Sequence, residues 1–259
     1  MIKTEHEIEM LRQSAKLVMR TLAEVAELVK PGVTTYQLDV RAEEFIRDNG
    51  AKPGFLGYRD FPRTLCTSVN SQVVHGVPSK SVVLKEGDVI SVDCGVELNG
   101  YCGDCAYSFE VGEVEELTRK LLKITKECLF RGIEKATTQF RMGDIAFAIQ
   151  QHAENNSFTV VRELTGHGIG TAIHEKPDVA NHGRRGSGIR LKKNMVLCIE
   201  PMINRGRRAV VEDRDNWAVR TRDNQPSAHY EQMVAVGDRK AVVLADFAII
   251  EERLKQLSK

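Results

Sequence analysis

Residues 88–109 read DVISVDCGVELNGYCGDCAYSF, and this stretch decides the fold of the chain. Its first half alternates apolar and polar residues with a period of two, which is typical of a β-strand. The pair Asn99-Gly100 follows this alternation, and Asn-Gly is a strong signal for a two-residue hairpin turn. The sequence therefore predicts two antiparallel strands joined by a tight turn.

The predicted hairpin brings two acidic residues together. Asp93 lies opposite Ala106 in the register that the turn imposes. Asp104 then lies opposite Gly95, so the two aspartates are diagonal neighbours on one face, close enough to hold one metal ion or to bridge two. The alternative is a pair of exposed strand acids, but Asp93 follows the mostly apolar run 89–92, where a solvated acid is not expected.

The segment that leads to Asp93 is weakly similar in sequence to a later segment of the chain. Residues 84–93 (LKEGDVISVD) and residues 191–200 (LKKNMVLCIE) both open on Leu-Lys, pass through a polar turn and a mostly apolar strand, and end on a carboxylate. The second carboxylate is Glu200. This similarity suggests that the chain has two similar halves that face each other. Each half would place an acidic residue, from the end of a buried strand, at a shared centre.

A glycine-rich segment, TGHGIG, carries the next candidate ligand, His167. Glycines permit positive φ angles and close approach of the backbone to a ligand. A phosphate-cradling loop is the competing interpretation, but the spacing fits neither the P-loop nor the dinucleotide fingerprint. A single histidine is more often structural than functional. Because His174 follows in the same region and His75 lies in VVHGVP, a catalytic cluster is favoured.

The last candidate ligand is Glu231, in the segment SAHYEQMVAV (residues 227–236). The segment predicts a strand with Glu231 and Met233 on one face. With the two aspartates and Glu200, Glu231 completes four carboxylates, whose charge would balance two divalent cations. Burying that much charge is very costly unless it is paired or bound to metal. Joined by His167, the set suits two catalytic metals better than a structural zinc site.

Composition argues against several classes of protein. The 259 residues carry a net charge of +1, which gives no signal for a nucleic acid or an anionic membrane as partner. The opening MIKTEHEIEM has no apolar core, so it is not a signal peptide, and no apolar run approaches the roughly 18 residues needed to span a bilayer. Cys102 and Cys105 form a C-x-x-C around Asp104, but they point to opposite faces of a strand, so we expect reduced thiols in a cytoplasmic protein.

Four segments show the apolar periodicity or the start and stop signals of helices. They are residues 6–29, 34–49, 113–137 and about 143–154. Residues 181–190 predict a solvated loop. No linker or low-complexity tract interrupts the chain, so residues 1–259 are predicted to form a single catalytic domain.

Taken together, these segments resemble the type I methionine aminopeptidases, the smaller members of the pita-bread metallopeptidases. The resemblance runs from about Ile8 to Ile250 through five spaced motifs in the same order. They are SVN to HGVP (68–78), Asp93 to YCGD (101–104), GHGIG to HEKP (166–177), IEPM (199–202) and SAHYE (227–231). The resemblance implies an α+β pita-bread fold, a pseudo-two-fold antiparallel sheet covered by helices with the metal site at its centre.

The resemblance also implies the ligands and the reaction. The metal ligands are Asp93, Asp104, His167, Glu200 and Glu231. Carboxylates with one imidazole suit manganese, iron(II) or cobalt best, while zinc and magnesium are compatible. Two such ions would activate a water that attacks the first peptide carbonyl, with Glu200 as general base. His174 would stabilise the oxyanion and His75 would contact the scissile nitrogen, although these two roles are exchangeable.

By the same resemblance, the N-terminal side chain of the substrate enters an apolar pocket. The candidate substrate-binding residues are Tyr58, Phe61, Cys66 and Trp217, with the positions of Phe55 and Ile173, beside the catalytic His75 and His174. Phe61, Ile173 and Phe55 depart from the tyrosine, phenylalanine and cysteine expected in bacterial members, which affects the shape of the pocket but not the chemistry. A monovalent cation near Asn70, Gln72 and Ser227 is also implied.

The implied function is removal of the N-terminal methionine from peptides and nascent proteins with a small second residue, by a cytoplasmic monomer. Xaa-Pro aminopeptidases and prolidases share the five ligands, but they usually carry a large extra N-terminal domain for which this chain has no room. Pita-bread binding modules, which serve as ribosome or histone partners, have lost the metal site. Type II methionine aminopeptidases carry a long insertion between the histidine and first glutamate ligands, which is missing between His174 and Glu200. Docking on the ribosome stays open.

Overall fold

Five α-helices occur within residues 1–257, the part of the chain that the computed structural model describes. They are α1 (Glu5–Ala26), α2 (Thr35–Asp48), α3 (Glu116–Ile133), α4 (Met142–Asn155) and α5 (Ala248–Leu257). The helices α1 and α2 begin with capping boxes, in which the hydroxyls of Thr4 and Thr34 accept a hydrogen bond from a backbone N–H three residues later. Four helices were predicted, whereas α5 was not.

The third helix is shorter than predicted at both ends. Its C-terminal end gives way to a turn because the chain at Thr137 bridges to Gly237, and the amide of Thr138 donates to the Gly237 carbonyl at 2.9 Å. Residues 181–190 form a loop, as predicted. Of the helices in the described part of the chain, none is both long and apolar enough to cross a membrane.

Short strands occupy most of the remaining chain. They are β1 (Lys52–Pro53), β2 (Leu65–Val69), β3 (Gln72–Val74), β4 (Val89–Leu98), β5 (Tyr101–Glu110), β6 (Thr159–Val160), β7 (Thr165–Gly168), β8 (Glu175–Ala180), β9 (Val196–Ile199), β10 (Met202–Asn204), β11 (Val210–Glu212), β12 (Val219–Thr221), β13 (Ser227–His229), β14 (Gln232–Ala235) and β15 (Val242–Val243). Two sheets are central to the site. The first orders its strands β1-β4-β2 with β5 also paired to β4, and the second orders them β15-β14-β9-β7-β8.

The central hairpin has the predicted turn and register. Asn99 and Gly100 adopt positive φ angles of 53° and 80°, as a tight turn between two strands requires. Antiparallel pairing of β4 and β5 places Asp93 opposite Ala106. It also places Gly95 opposite Asp104, so the diagonal relation of the two aspartates is confirmed.

The second sheet delivers the other candidate ligands. In it β9 pairs with β7 on one side and with β14 on the other, so Cys198 lies opposite both His167 and Met233. Glu200 follows the end of β9, and Glu231 precedes the start of β14. The two segments with similar sequences, ending at Asp93 and at Glu200, therefore each lead through a strand to a carboxylate.

The two sheets meet where β5 lies beside β14. The amide of Glu231 donates to the carbonyl of Ala106 at 2.9 Å, and the amide of Asp104 donates to Met233 Sδ at 3.2 Å. Helix α1 covers β5 from the other side and approaches it closely at Gly103, where an added Cβ would lie 2.6 Å from the Ser14 backbone. Both halves of the chain thus contribute to one layered core.

The predicted continuous strand over residues 227–236 is wrong. Its first part, β13, pairs with β10, whereas β14 pairs with β9 in the other sheet. The chain changes sheets at Tyr230 and Glu231. There the Tyr230 ring is buried, packs edge-on against Tyr107 with ring centroids 5.0 Å apart, and donates its hydroxyl to the Ser108 carbonyl at 3.1 Å.

Candidate metal centre

All five predicted metal ligands lie around one pocket. Nε2 of His167 lies 3.7 Å from Asp104 Oδ2, 3.7 Å from Glu200 Oε1 and 3.9 Å from Glu231 Oε1. Asp93 lines the same pocket. The structure therefore brings together the side chains that sequence analysis selected, three from within β4, β5 and β7 and two from positions next to β9 and β14.

The imidazole of His167 is oriented by its own backbone. Its Nδ1 lies 2.9 Å from the carbonyl oxygen of Gly168. Because a carbonyl can only accept, Nδ1 carries the hydrogen, and the lone pair of Nε2 faces the carboxylates. That is the tautomer that a metal ligand needs.

The four carboxylates are buried together, and their electrostatics fit a cation. Burial raises the pKa of Asp93 to about 6. Burial, and then the charges of neighbouring carboxylates, raise the pKa values of Asp104, Glu200 and Glu231 well above their ordinary range. Asp93 Oδ1, Asp104 Oδ1 and Glu231 Oε1 are buried and accept no hydrogen bond from any of residues 1–257. Clustered hard oxygen donors of this kind, with one imidazole, fit divalent metal ions.

His174 lies beside this centre and is held by Tyr58. The two rings stack with centroids 5.2 Å apart, and Nδ1 of His174 lies 3.0 Å from the Tyr58 hydroxyl. The His174 ring also lies 4.2 Å, centroid to centroid, from that of His167. His174 is open to the pocket, but its pKa is lowered to about 3. The main cause is partial burial by the surrounding protein, and the charges of His167 and Arg59 add to it. The imidazole is therefore neutral at neutral pH.

His75 lines the same pocket from another loop. His75 follows β3 and has a φ of 60°. The next residue, Gly76, packs so closely on β2 that an added Cβ would clash with the Thr67 carbonyl. Burial, followed by the charge of His229, lowers the pKa of His75 to about 4. Both predicted catalytic histidines are thus placed as neutral groups at the pocket that the carboxylates line.

The apolar part of the pocket contains the predicted specificity residues. The cavity has a volume of about 160 Å³. Its lining includes Phe55, Tyr58, Phe61, Cys66 and Trp217. Phe61 and Trp217 meet edge to face with centroids 5.2 Å apart. Ile173 lies next to Phe55, since an added Cβ at Gly95 would meet both side chains. The one tryptophan of the chain therefore packs at the pocket.

Sequence reasoning missed His229, which is 2% exposed. Its Nε2 lies 3.4 Å from Glu200 Oε2 and finds no hydrogen-bond partner among residues 1–257. Burial lowers the pKa of His229. The available signal was its position in the motif SAHYE, two residues before the candidate ligand Glu231.

The three residues predicted to surround a monovalent cation lie close together. The amide of Ser227 donates to the Asn70 carbonyl at 2.9 Å, and the amide of Val69 donates to Gln72 Oε1 at 3.1 Å. The Asn70 side chain bonds Asp88 and the amide of Val89. Because these side chains are already engaged, an ion here would need backbone carbonyl oxygens.

Comparison with known proteins places the chain among metallopeptidases. Residues 9–238 match metallopeptidase family M24. The methionine aminopeptidase of Clostridium acetobutylicum is 49% identical over 94% of this chain and 97% of its own length. Methionine aminopeptidase 1 of Bacillus subtilis is 44% identical over 90% of this chain and 94% of its own length.

Solved structures agree with the predicted fold. The crystal structure of methionine aminopeptidase from Rickettsia prowazekii superposes with a TM-score of 0.93 at 38% identity, covering 95% of this chain and 99% of that one. The prolidase from Pyrococcus furiosus superposes with a TM-score of 0.76 at 22% identity, covering 95% of this chain and 65% of that one. The first likeness extends over both chains almost completely, while the second shows a shared fold alone. The predicted α+β pita-bread fold is confirmed.

Proposed function

The chain belongs to metallopeptidase family M24, and we propose that it removes the N-terminal methionine from peptides and nascent proteins whose second residue is small. The observation that carries the proposal is the meeting of the five candidate metal ligands with an apolar cavity in one pocket. The relatives at 44–49% identity over most of the chain are methionine aminopeptidases, which favours this activity over Xaa-Pro cleavage and over a non-catalytic binding role.

The metal-binding part of the proposal follows from the charges of the site. Two divalent ions, held by Asp93, Asp104, His167, Glu200 and Glu231, would balance the four carboxylates. When bound, such ions supply an activated water at neutral pH and polarise a carbonyl. Manganese, iron(II) or cobalt suits one imidazole and four carboxylates best. The unsatisfied buried oxygens support a binding role for these residues.

The remaining roles belong to the chain's own side chains. Glu200 accepts the proton of the attacking water, because its carboxylate reaches the pocket beside His167. If the Tyr58 hydroxyl donates to Nδ1 of His174, then Nε2 keeps its hydrogen and donates it to the carbonyl oxygen as negative charge develops there. His75 contacts the scissile nitrogen from the opposite loop.

Specificity follows from the apolar wall. A methionine side chain gains contacts with Tyr58, Phe61, Cys66 and Trp217 without leaving a polar group unpaired. A charged first residue would lose its hydration and gain no partner there. The histidines flank the path of the chain beyond the scissile bond, so a small second residue is accepted and a large one is hindered.

Four further features belong to the proposal. Residues 1–259 act as a single catalytic domain, since one buried core includes side chains from Ile8 to Ile250. The protein works as a monomer in the cytoplasm; its six free cysteines support a reducing compartment. A monovalent cation binds near Asn70, Gln72 and Ser227. Ribosome docking would bring the pocket to nascent N-termini.

A peptide panel tests the proposed function. Initial rates are measured on Met-Ala-Ser, norleucine-Ala-Ser, Lys-Ala-Ser, Met-Phe-Ser and Ala-Pro-Ser, with manganese, cobalt, iron(II) or zinc added to metal-free protein. We expect norleucine to be cleaved within about tenfold of methionine, since the two side chains have similar volume and differ by one buried atom. The Lys-, Met-Phe- and Ala-Pro peptides should be poor substrates. Preference for Ala-Pro-Ser, or inactivity on every peptide with every metal, would contradict the proposal.

Substitution of single metal ligands tests whether cleavage in the peptide panel depends on the metal centre. Asp93→Ala or Glu231→Ala should abolish both peptide cleavage and metal retention, whereas circular dichroism should show an intact fold. Full turnover in either folded variant would contradict the dinuclear centre.

A further inference from the structure

The buried thiol of Cys198 lies close to three candidate ligands of the carboxylate centre, Asp104, His167 and Glu231. We propose that Cys198, His167, Asp104 and Glu231 form a second, four-donor binding mode that takes a single thiophilic divalent ion, such as zinc or cadmium. This binding mode shares His167, Asp104 and Glu231 with the proposed hydrolytic centre. It rests on the proposed function only through these three shared ligands.

Strand pairing puts the thiol where a metal could reach it. Cys198 lies directly opposite His167 in β7, so the side chains of these two residues point to the same face of the sheet. On its other side it lies opposite Met233, whose sulfur accepts the amide of Asp104. Cys198 is 0% exposed.

The distances are compatible with one shared ion. One donor atom from each of the four side chains lies within 4.8 Å of all the others. Around a tetrahedral zinc, with Zn–S of about 2.3 Å and Zn–N or Zn–O of about 2.1 Å, donors are separated by roughly 3.6 Å. The separations of His167 Nε2 from Asp104 and from Glu231, at 3.7 and 3.9 Å, already match this value. Since no two of the four donors are more than 4.8 Å apart, any pair would have to approach by no more than about 1 Å to reach this spacing.

The chemistry distinguishes this mode from the hydrolytic one. Soft thiolate ligands select zinc and cadmium over the hard ions that carboxylates prefer. On binding, the S–H bond of Cys198 is replaced by a sulfur–metal bond and the proton leaves to solvent, with no change of oxidation state. Four protein donors close the coordination shell of a tetrahedral ion, whereas catalytic zinc sites keep an open position. An ion in this mode therefore occupies ligands that the hydrolytic ions need and blocks turnover.

Among the other buried thiols, Cys66 lies opposite Asp93 and lines the pocket, but it is not part of the cluster of four donors. Cys94 is next to Asp93 but points to the opposite face of its strand, because neighbouring strand residues alternate. Burial of a free cysteine is by itself common in protein cores. Cys94 is therefore the matched control, with the same substitution next to a different ligand.

The first experiment is a cadmium titration of metal-free protein, followed by sulfur-to-cadmium charge-transfer absorption in the ultraviolet. We expect the band to grow with the first equivalent in the wild type and in Cys94→Ser. It should be missing in Cys198→Ser, whose cadmium affinity should fall by about tenfold or more, since even an outer-shell change costs that much. A band of full size in Cys198→Ser, or none in the wild type, would overturn the inference.

A second measurement needs no variant and so does not depend on the folding of Cys198→Ser. X-ray absorption of the wild type loaded with one zinc should show one sulfur at about 2.3 Å. A shell of nitrogen and oxygen alone would overturn the inference. If the manganese-loaded protein cleaves Met-Ala-Ser but shows no sulfur ligation, the inference fails and the proposed function stands. If sulfur ligation is seen but no metal supports cleavage of Met-Ala-Ser, the inference stands and the proposed function fails.

Discussion

The hydroxyl of Tyr58 offers a direct test of how His174 is held. Tyr58→Phe removes the oxygen that lies 3.0 Å from His174 Nδ1 and keeps the ring that stacks on the imidazole at 5.2 Å. Without this hydroxyl, the neutral imidazole is free to adopt the tautomer that presents a lone pair, instead of N–H, to the substrate carbonyl. We expect kcat for Met-Ala-Ser to fall with little change in KM, because the N–H bond to the carbonyl strengthens in the transition state.

The size of the effect follows from the strength of one neutral hydrogen bond. Such a bond contributes about 0.5–1.5 kcal/mol, and 1.36 kcal/mol corresponds to tenfold in rate. Because the Tyr58–His174 contact is exposed, the lower part of this range, about 0.5–1 kcal/mol, applies, which gives a loss of about two- to fivefold. Removal of the donor itself in His174→Ala should cost more, about 100- to 1000-fold.

A double-mutant cycle is the deciding assay. Steady-state kinetics would be compared for wild type, Tyr58→Phe, His174→Ala and the double variant. In the His174→Ala background the Tyr58→Phe substitution should have almost no further effect. The control is Tyr36→Phe, since the Tyr36 ring lies under the Arg63 guanidinium, 5.2 Å from the ring centre, and is not part of the pocket lining. An equal loss in both backgrounds would refute the reasoning.

Three other outcomes are expected. Asp39→Ala should lower the free energy of unfolding by about 1.5–3 kcal/mol in urea denaturation, because Asp39 Oδ1 accepts the amides of Thr64 and Leu65 at 2.9 Å each; an unchanged midpoint would contradict this. Gly95→Ala should reduce kcat/KM for methionine peptides more than for alanine peptides, because the new Cβ would lie 2.6 Å from Phe55 Cε1 and push that ring into the cavity. Chelation of metal held at a thousand times its Kd removes about 4 kcal/mol, so Tm in calorimetry should fall by about 8–16 °C and recover on adding manganese; an unchanged Tm would count against metal binding by the folded state.

Local rules were sufficient for the central hairpin and for the start of α2. Asn99 and Gly100 tolerate the positive φ angles of the turn, and the turn then sets the register of every residue in β4 and β5. The diagonal aspartates followed from this register alone. Thr34 was likewise identified because capping depends on residues only three positions apart.

Contacts between distant segments were beyond sequence reasoning. Cys198 becomes a neighbour of His167 only because β9 pairs with β7, and no local pattern specifies that order. The chain also changes sheets at Tyr230 and Glu231 without a glycine or proline between residues 227 and 236, so the sequence has no turn signal there. The ligand and catalytic roles of the clustered side chains stay predictions that the experiments above address.

The division of the centre between the two sheets has a consequence for how the protein is made. Asp93 and Asp104 come from one sheet, while His167, Glu200 and Glu231 come from the other or its flanks. The full ligand set therefore exists only after both sheets have formed and docked, which is a late event in a fold dominated by long-range contacts. An ion that binds after this step stabilises the native state more than the folding transition state, so it slows unfolding without speeding folding. Metal supply would then set how long the protein survives, and not how quickly it forms.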